Sequence, residues 1–351
     1  MRARRPVSLV RAPLVEVVVP CYNYGRFLPD CVDSVLGQSG VQVRVTVVDD
    51  ASTDDSAQVA RRIVDADPRV RLIRHETNAG HIATYNDGLA QVDSDYVVLL
   101  SADDLLAPGA LARAGALLEA HPSVGLAYGR PRDFQGAPPG FRPRAVDWSL
   151  WQGSRWIELQ FKRGNSALFS PEAVVRTSVQ HAVGYYDPRQ PHAGDVDMWL
   201  RIASVSDVGH VNGPDHAFRR VHGAAMSQNH FATMVGDVGQ RVEAYRAHLG
   251  RLDPGPARDH LEAVMIDRAV EEALSWVIGR VRDGAPLAEV EPAVQFVHEL
   301  DPRVERRGGW RAFRAIADGG SPWHLGAAWT WRHSADLRDR LRWRTWNRWG
   351  M

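Results

Sequence analysis

Short apolar strands alternate with helical patterns through the first hundred residues, and this alternation constrains the fold more than any other feature. The strands are runs of β-branched and aliphatic residues, and apolar residues recur at helical spacing between them. Predicted strands occupy residues 15–19, 43–48, 70–73 and 96–100, and predicted helices occupy residues 28–38, 56–64 and 82–91. Because strands separated by helices pair mostly in parallel, we predict an α/β fold with a mostly parallel sheet flanked by helices.

Polar clusters follow three of these strands at the point where each strand ends. A turn cluster at residues 20–25 follows the first strand, and the pair Asp49–Asp50 ends the second. The pair Asp103–Asp104 follows the strand at residues 96–100. Ligands of open α/β sheets bind at the carboxyl ends of the strands, so the three clusters are expected to meet in one crevice.

Each acid pair has a structural interpretation as well as a functional one. Adjacent carboxylates repel each other unless a cation or hydrogen-bond donors neutralise them, and their oxygens suit Mg²⁺ or Mn²⁺. Alternatively, Asp103 or Asp104 caps the helix that starts near Pro108. Ser52, with Asp55 three residues later, is likewise a candidate N-cap for the following helix. The coincidence of three clusters at one edge favours a binding site.

Composition excludes several classes of protein. The 351 residues contain 42 Lys and Arg against 42 Asp and Glu, so no overall charge points to nucleic acid. Cys21 and Cys31 are too few for a disulfide framework or a structural zinc site, which fits a reducing cytoplasm. No apolar run approaches the roughly 18 residues of a membrane span, and residues 1–13 are interpreted as a basic, flexible leader.

Four motifs occur in a fixed order between residues 18 and 104. They are Val18-Val-Pro-Cys-Tyr-Asn23, Val48-Asp-Asp-Ala-Ser-Thr-Asp54, Asn78-Ala-Gly80 with Asn86, and Ser101-Ala-Asp-Asp104. The glycine-rich motifs of Rossmann dinucleotide sites and P-loops are absent. The four motifs resemble the signature of glycosyltransferase family 2, and the resemblance extends to about residue 228. It implies a GT-A fold at residues 14–230, with a nucleotide-sugar-binding half at 14–129 and an acceptor-binding half at 130–230.

The resemblance implies a donor site for a nucleotide-diphosphate sugar. A UDP-sugar is the favoured donor, with dTDP- and GDP-sugars as alternatives. The implied donor-binding residues are Pro20, Tyr22, Asn23, Asp50, Asn78, Gly80, Asn86 and Asp103. Among them, Pro20 and Tyr22 correspond to positions that line the base. Asp50 corresponds to the acid that accepts a hydrogen bond from the base, and Asp103 to the acid near the ribose.

The resemblance also implies a metal ligand and a catalytic base. Asp104 corresponds to the ligand of Mn²⁺ or Mg²⁺, and His222 to a histidine that approaches the metal or the diphosphate. Asp195 corresponds to the base that removes the proton of the acceptor hydroxyl. One base without an enzyme nucleophile implies inversion at the anomeric carbon. Asp187 and Asp197 lie close by in the sequence, and each is an alternative to Asp195.

The acceptor-binding half begins with a segment rich in Pro, Gly and Arg. Residues 130–143 are predicted to form a loop. Trp148, Trp151 and Trp156 follow, and their rings either pack against a sugar or belong to the core. The expected acceptor is a carbohydrate or a lipid-linked acceptor.

From Phe231 onward the pattern is helical, so residues 231–351 are predicted to form a helical C-terminal region. Its helical patterns are strongest at residues 260–281 and 287–300. From Trp329 to the end, the chain contains five Trp and six Arg against two Asp. This composition suits peripheral contact with the inner face of a membrane, and it equally suits a helix docked on its own domain or on a second subunit.

These observations predict a metal-dependent, inverting hexosyl or related transferase of glycan, polysaccharide or glycoconjugate biosynthesis. The alternatives are a non-catalytic nucleotide-sugar-binding or scaffold subunit with the same fold, and a nucleotidyltransferase, which would release pyrophosphate. The acids at positions 50, 103, 104 and 195 favour the glycosyltransferase, because a binding module would not require Asp195.

Overall fold

The structure is a computed structural model that describes residues 2–223, 233–319, 345–346 and 350. These residues form two units. The first comprises residues 2–157, 167–223 and 350, and the second comprises residues 158–166, 233–319 and 345–346.

The first unit is built on one ten-stranded sheet. Its strands are β1 (Arg2–Arg4), β2 (Leu14–Cys21), β3 (Gln42–Asp49), β4 (Val70–Arg74), β5 (Tyr96–Leu99), β6 (Leu105–Leu106), β7 (Val124–Phe134), β8 (Asp147–Trp151), β9 (Ala173–Arg176) and β10 (Asp207–Arg220). The helices up to residue 205 are α1 (Leu28–Leu36), α2 (Ser56–Ala66), α3 (His81–Leu89), α4 (Ala110–Ala120), α5 (Gly153–Arg163), α6 (Thr177–Val183) and α7 (Gly194–Val205).

Strands β2 to β5 form the parallel part of the sheet, in the order β4-β3-β2-β5. Every strand and helix predicted in the first hundred residues is present, with bounds that differ by at most two residues. The predicted α/β fold class is therefore confirmed. Beyond β5 the sheet is mixed, because β9 runs antiparallel to both β5 and β7, whereas β7 and β10 are parallel.

Helices cover both faces of the parallel strands. On one face, apolar side chains of β2, β3 and β5 pack against α1 and α4 in a single buried cluster. On the other face, α3 approaches β2 closely at Gly88, where an added Cβ would lie 2.4 Å from Cγ1 of Val18. This packing buries the strands and holds their carboxyl ends in register, which fixes the loops that follow them.

The structure corrects the prediction that residues 1–13 are a flexible leader. Strand β1 pairs antiparallel with β8. Further along, the Arg11 guanidinium lies 3.0 Å from Asp95 and 2.8 Å from Glu119. Two ion pairs and a strand pairing therefore hold this segment on the first unit.

The prediction of a loop over residues 130–143 was partly wrong, because β7 continues to Phe134. The three tryptophans after this segment belong to the core. Trp148, Trp151 and Trp156 are 2%, 3% and 0% exposed, so none of them presents a ring face to a sugar.

The described residues of the second unit are mainly helical. Its helices beyond residue 233 are α8 (Met234–Leu249), α9 (Pro256–Arg282), α10 (Leu287–Leu300) and α11 (Gly308–Ala317). Buried side chains of α9, α10 and α11 form its apolar core. Within the described part of the chain, no helix is both long and apolar enough to cross a membrane. The Trp- and Arg-rich segment from Trp329 lies outside the described residues, except for positions 345, 346 and 350.

Candidate active site

The loops that follow β2 and β3 are tied together by Asn23. Its backbone has a φ of 60°, in the left-handed region that asparagine tolerates. The backbone amide of Asn23 donates to the Ser52 hydroxyl at 3.0 Å, and the side-chain oxygen of Asn23 accepts from the backbone amide of Thr53 at 2.8 Å. Ser52 therefore does not cap α2, and Asp54 accepts the Ser56 amide at 2.9 Å instead. Asn23 shapes the crevice through contacts with the protein.

Asp50 lies buried at the end of β3, within a set of hydrogen-bond donors. Its Oδ1 is 2.7 Å from both the His75 ring and the Ala79 amide, and its Oδ2 accepts the Gly80 amide at 3.0 Å. Asn78 donates to the Asp50 backbone carbonyl at 3.2 Å. Burial opposes ionisation, but the bonds from Ala79, His75 and Gly80 outweigh it, so the pKa of Asp50 lies below its ordinary value. The result is an ionised carboxylate whose Oδ2 can accept a further bond.

Gly80 reaches Asp50 because its backbone has a φ of 84°, a conformation that favours glycine. An added Cβ would meet no atom within 4 Å, so backbone conformation and not space selects glycine here.

Pro20 and Tyr22 lie at the end of β2, beside Asp50. Pro20 pairs with Val48 of β3, and the Asp50 amide donates to the Cys21 carbonyl at 2.9 Å. Tyr22 is 45% exposed, so its ring is open to a ligand at this edge.

Asp103 and Asp104 are 8% and 7% exposed and are held by the end of β10. Asp104 Oδ1 accepts the Arg220 amide at 2.9 Å, and Asp103 Oδ2 lies 2.9 Å from His222 Nε2. The Arg220 side chain donates to the Asp103 carbonyl at 3.0 Å and is packed over Phe27. In the described part of the chain, neither carboxylate forms an ion pair with Lys or Arg.

Neither acid caps the helix that follows them. Helix α4 begins at Ala110, and its N-cap residue is Gly109, without a side-chain cap. Burial and repulsion from Asp103 raise the pKa of Asp104 to about 8. Two adjacent acids thus lie in a site that disfavours their combined charge.

His222 lies beside Asp103 and not beside Asp104. Its ring packs against Tyr24 and Phe27, at centroid distances of 5.6 and 5.0 Å. Its Nδ1 is buried and has no hydrogen-bond partner within the described ranges of the chain. Repelling carboxylates are ligands that fit Mn²⁺ or Mg²⁺. The imidazole nitrogen that faces these acids is Nε2, which lies on Asp103. Among the residues that the structure describes, no three His, Cys, Asp or Glu side chains are grouped to hold a cation by themselves. A cation at Asp104 would therefore take further ligands from water and substrate.

Asp195 is the second residue of α7 and is held by two donors. The Tyr186 hydroxyl donates to its Oδ1 at 2.9 Å, and the Ser170 amide donates to its Oδ2 at 3.2 Å. Burial outweighs these bonds and raises the pKa of Asp195 to about 6. The carboxylate is therefore ionised near neutral pH and poised to take up a proton.

The neighbouring acids are engaged by arginine. Asp187 lies 2.7 Å from Arg189, and Asp197 lies 2.8 Å from Arg201. Of the three acids between residues 187 and 197, Asp195 is the one without an arginine partner among the residues that the structure describes.

Tyr186 is a candidate functional residue that the sequence analysis missed, because its hydroxyl donates to Asp195. Its backbone is clamped by Asn86, which donates to the Tyr186 carbonyl at 2.9 Å and accepts the Tyr186 amide at 2.8 Å. Its ring packs edge-on against Tyr85 at 5.4 Å. Both polar atoms of the Asn86 side chain are thus bonded to the segment that holds Asp195. The sequence Gly184-Tyr-Tyr-Asp187, which lies shortly before Asp195 and within the part of the chain that resembles the family, was the available signal for Tyr186. The Ser170 amide carries no side-chain signal.

Two solved structures share this architecture. TarS from S. aureus in complex with UDP-GlcNAc matches with a TM-score of 0.61 and 16% identity, over 92% of this chain and 91% of that chain. The mannosyltransferase PcManGT from Pyrobaculum calidifontis, in complex with GDP-Man and Mn²⁺, matches with a TM-score of 0.56 and 19% identity, over 94% and 89%. At these identities the match concerns the fold alone, and that fold is GT-A.

Sequence comparisons identify the family. The model of glycosyl transferase family 2 matches residues 16–178. An uncharacterized protein of Mycobacterium tuberculosis is 37% identical over 231 residues, which are 61% of this chain and 68% of that protein. The chain belongs to glycosyl transferase family 2.

Other relatives are much longer than this chain. The chondroitin synthase of Pasteurella multocida is 26% identical over 246 residues, which are 67% of this chain and 24% of that protein. The chain therefore spans about a quarter of the length of such curated relatives.

Proposed function

We propose that this chain is a metal-dependent, inverting glycosyltransferase that moves a sugar from a nucleotide-diphosphate donor to an acceptor hydroxyl. The observation that carries the proposal is Asp195, a half-buried carboxylate that two donors hold and that no arginine of the described residues neutralises. A half-buried charge without a cationic partner costs stability, which a binding or scaffold subunit has no reason to bear. The chondroitin synthase relative supports a place in polysaccharide assembly.

Asp50 and Tyr22 form the proposed site for the donor base. The open acceptor position on Asp50 Oδ2 suits the ring N–H of uracil, thymine or guanine, and the exposed Tyr22 ring offers a stacking face. We favour a UDP-sugar, and the complexes of the two structural neighbours with UDP-GlcNAc and GDP-Man support a nucleotide-sugar donor. In this proposal Asn23, Asn78 and Gly80 position the two loops around the base.

Asp104 is the proposed metal ligand, with Asp103 and His222 beside it. A divalent cation would supply charge neutralisation for the departing nucleoside diphosphate. Asp195 takes the proton of the acceptor hydroxyl, and a single base with direct displacement gives inversion. The Mn²⁺ in the mannosyltransferase neighbour supports a metal of this class.

A thermal-shift screen of nucleotide-sugars with and without Mn²⁺ tests the donor proposal. A ligand that binds only the folded state raises its stability, by about 2.7 kcal/mol at 100 times its Kd. We expect one nucleotide-sugar to raise the Tm by several degrees in the presence of Mn²⁺ and by less without it. Turnover should then release the nucleoside diphosphate, whereas release of pyrophosphate would identify a nucleotidyltransferase. If no nucleotide-sugar moves the Tm, the donor proposal is wrong.

The Tyr186→Phe variant tests the base through its pH dependence. The kcat/KM of the parent protein should fall as the pH drops through about 6, where Asp195 becomes protonated. The Tyr186 hydroxyl donates a hydrogen bond that favours the ionised form of Asp195, so the pKa of Asp195 should rise when this hydroxyl is removed. The acid limb of the pH profile, where kcat/KM falls as Asp195 becomes protonated, should then move to higher pH. We expect a shift of about one pH unit, with activity recovering at alkaline pH.

The groups around Asp195 define the control for this experiment. His81 and His192 also favour its ionised form through their charge, and both remain in the variant. Tyr185→Phe is the matched control, because it removes a hydroxyl from the neighbouring tyrosine. The Tyr185 ring contacts His181, and its carbonyl accepts a bond from Arg201. An acid limb that stays in place in Tyr186→Phe would contradict the assignment.

A further inference from the structure

Phe169 is an aromatic side chain that the donor site and the base leave without a role. It is 44% exposed, although Leu168 and Pro171 beside it are buried. A single exposed apolar side chain is ordinary, so the inference depends on the position of this one.

Three contacts connect the segment around Phe169 to the proposed base and to the proposed metal ligand. The next residue, Ser170, donates its amide to Asp195 at 3.2 Å. The Phe169 ring lies 4.4 Å below the Arg219 guanidinium, and the next residue, Arg220, donates its amide to Asp104 at 2.9 Å. An acceptor hydroxyl must reach Asp195 from this region, because the sugar leaves a diphosphate held near Asp104.

The Phe169 ring is also held in place. Arg219 covers one face of the ring, and Asp133 holds Arg219 through an ion pair of 2.7 Å. The exposed area of the side chain is therefore an apolar surface whose ring is restrained on one face by Arg219.

Other exposed aromatic side chains do not share this position. In the described part of the chain, Tyr22 and Phe141 are the other aromatic residues among the exposed large apolar side chains. Tyr22 lies at the loop assigned to the donor base, and Phe141 has no contact that connects it to the acids of the site. The tryptophans of the acceptor-binding half are buried, as described above.

We propose that Phe169 is the platform on which a pyranose ring of the acceptor packs while its hydroxyl faces Asp195. The proposal rests on the proposed glycosyltransferase function and names the acceptor class as a pyranoside. The apolar C–H face of a pyranose matches a flat aromatic surface, whereas an open-chain polyol presents no such face.

The test uses the 351-residue chain with Mn²⁺ and the donor found by the thermal-shift screen. Transfer to water is measured without an acceptor, and transfer is then measured to methyl pyranosides and to ribitol. Phe169→Ala and Phe169→Leu should raise the KM for the preferred methyl pyranoside about tenfold and leave donor hydrolysis unchanged. Phe169→Trp should retain the low KM.

Val205→Ala is the control, because it removes an exposed apolar side chain at the opposite end of α7, roughly 15 Å from Asp195 along the helix. Its KM for the methyl pyranoside should equal that of the parent protein.

Two outcomes would overturn the proposal: a methyl-pyranoside KM that does not change in Phe169→Ala, or ribitol as the preferred acceptor. Absence of both hydrolysis and transfer in the parent protein would instead count against the proposed function. In that case saturation-transfer NMR tests the binding of methyl pyranosides directly. Saturation-transfer signals that the parent protein gives and Phe169→Ala loses support the platform. Signals that are equal in the two proteins, or absent from both, refute it.

Discussion

An Asp195→Asn variant is expected to transfer sugar about 10²- to 10⁴-fold more slowly than the parent protein. Asparagine keeps the shape of the side chain, and its oxygen can still accept a bond from Tyr186 or Ser170, but it cannot take the proton of the acceptor. Donor affinity should hardly change, because Asp195 lies on the acceptor side of the proposed mechanism. The measurements are kcat with a saturating donor and the Kd of the donor from thermal shift.

The neighbouring acids supply the controls for this variant. Asp187→Asn removes the charge that pairs with the exposed Arg189, so its turnover should stay close to that of the parent protein. Asp197→Asn breaks a buried pair with Arg201 and should lower stability by roughly 3–5 kcal/mol. If Asp187→Asn is inactive while Asp195→Asn turns over normally, the assignment of the base is wrong.

An Asp104→Asn variant is expected to lose the dependence of donor binding on Mn²⁺. Its amide oxygen is a weaker ligand than a carboxylate, so the affinity for Mn²⁺ should fall by at least about 10- to 100-fold, and turnover should fall with it. The fold should survive, because burial and Asp103 already disfavour the charge of Asp104. Titration of Mn²⁺ in the presence of the donor, followed by thermal shift, measures the effect.

Asp93→Asn is the matched control for the metal variant. The Asp93 side chain is 75% exposed and pairs with Arg44 at 2.7 Å, away from the carboxyl ends of the strands. Its response to Mn²⁺ should equal that of the parent protein. Full turnover of the parent protein in a chelator such as EDTA would refute the metal-dependent mechanism.

The elements of the parallel sheet could be predicted because their signals are local. Apolar runs and helical spacing placed β2 to β5, and the acids directly after β3 and β5 lie at the carboxyl edge, as expected. Where the prediction was wrong, a long-range contact decides the structure. Residues 1–13 look like a basic leader, yet Arg11 is held by Asp95 and Glu119.

By itself, the sequence determined the α/β fold, the family and the set of acids that line one edge of the sheet. Only the tertiary structure showed that Asp187 and Asp197 pair with arginine residues, whereas Asp195 has no such pair among the described residues. It also revealed the hydrogen bond from Tyr186 to Asp195. Asn86, 100 residues earlier in the chain, positions Tyr186 for this bond through a hydrogen bond to its backbone. Periodicity and turn chemistry are properties of neighbouring residues, whereas burial, ion pairs and pKa shifts arise only when distant segments pack together.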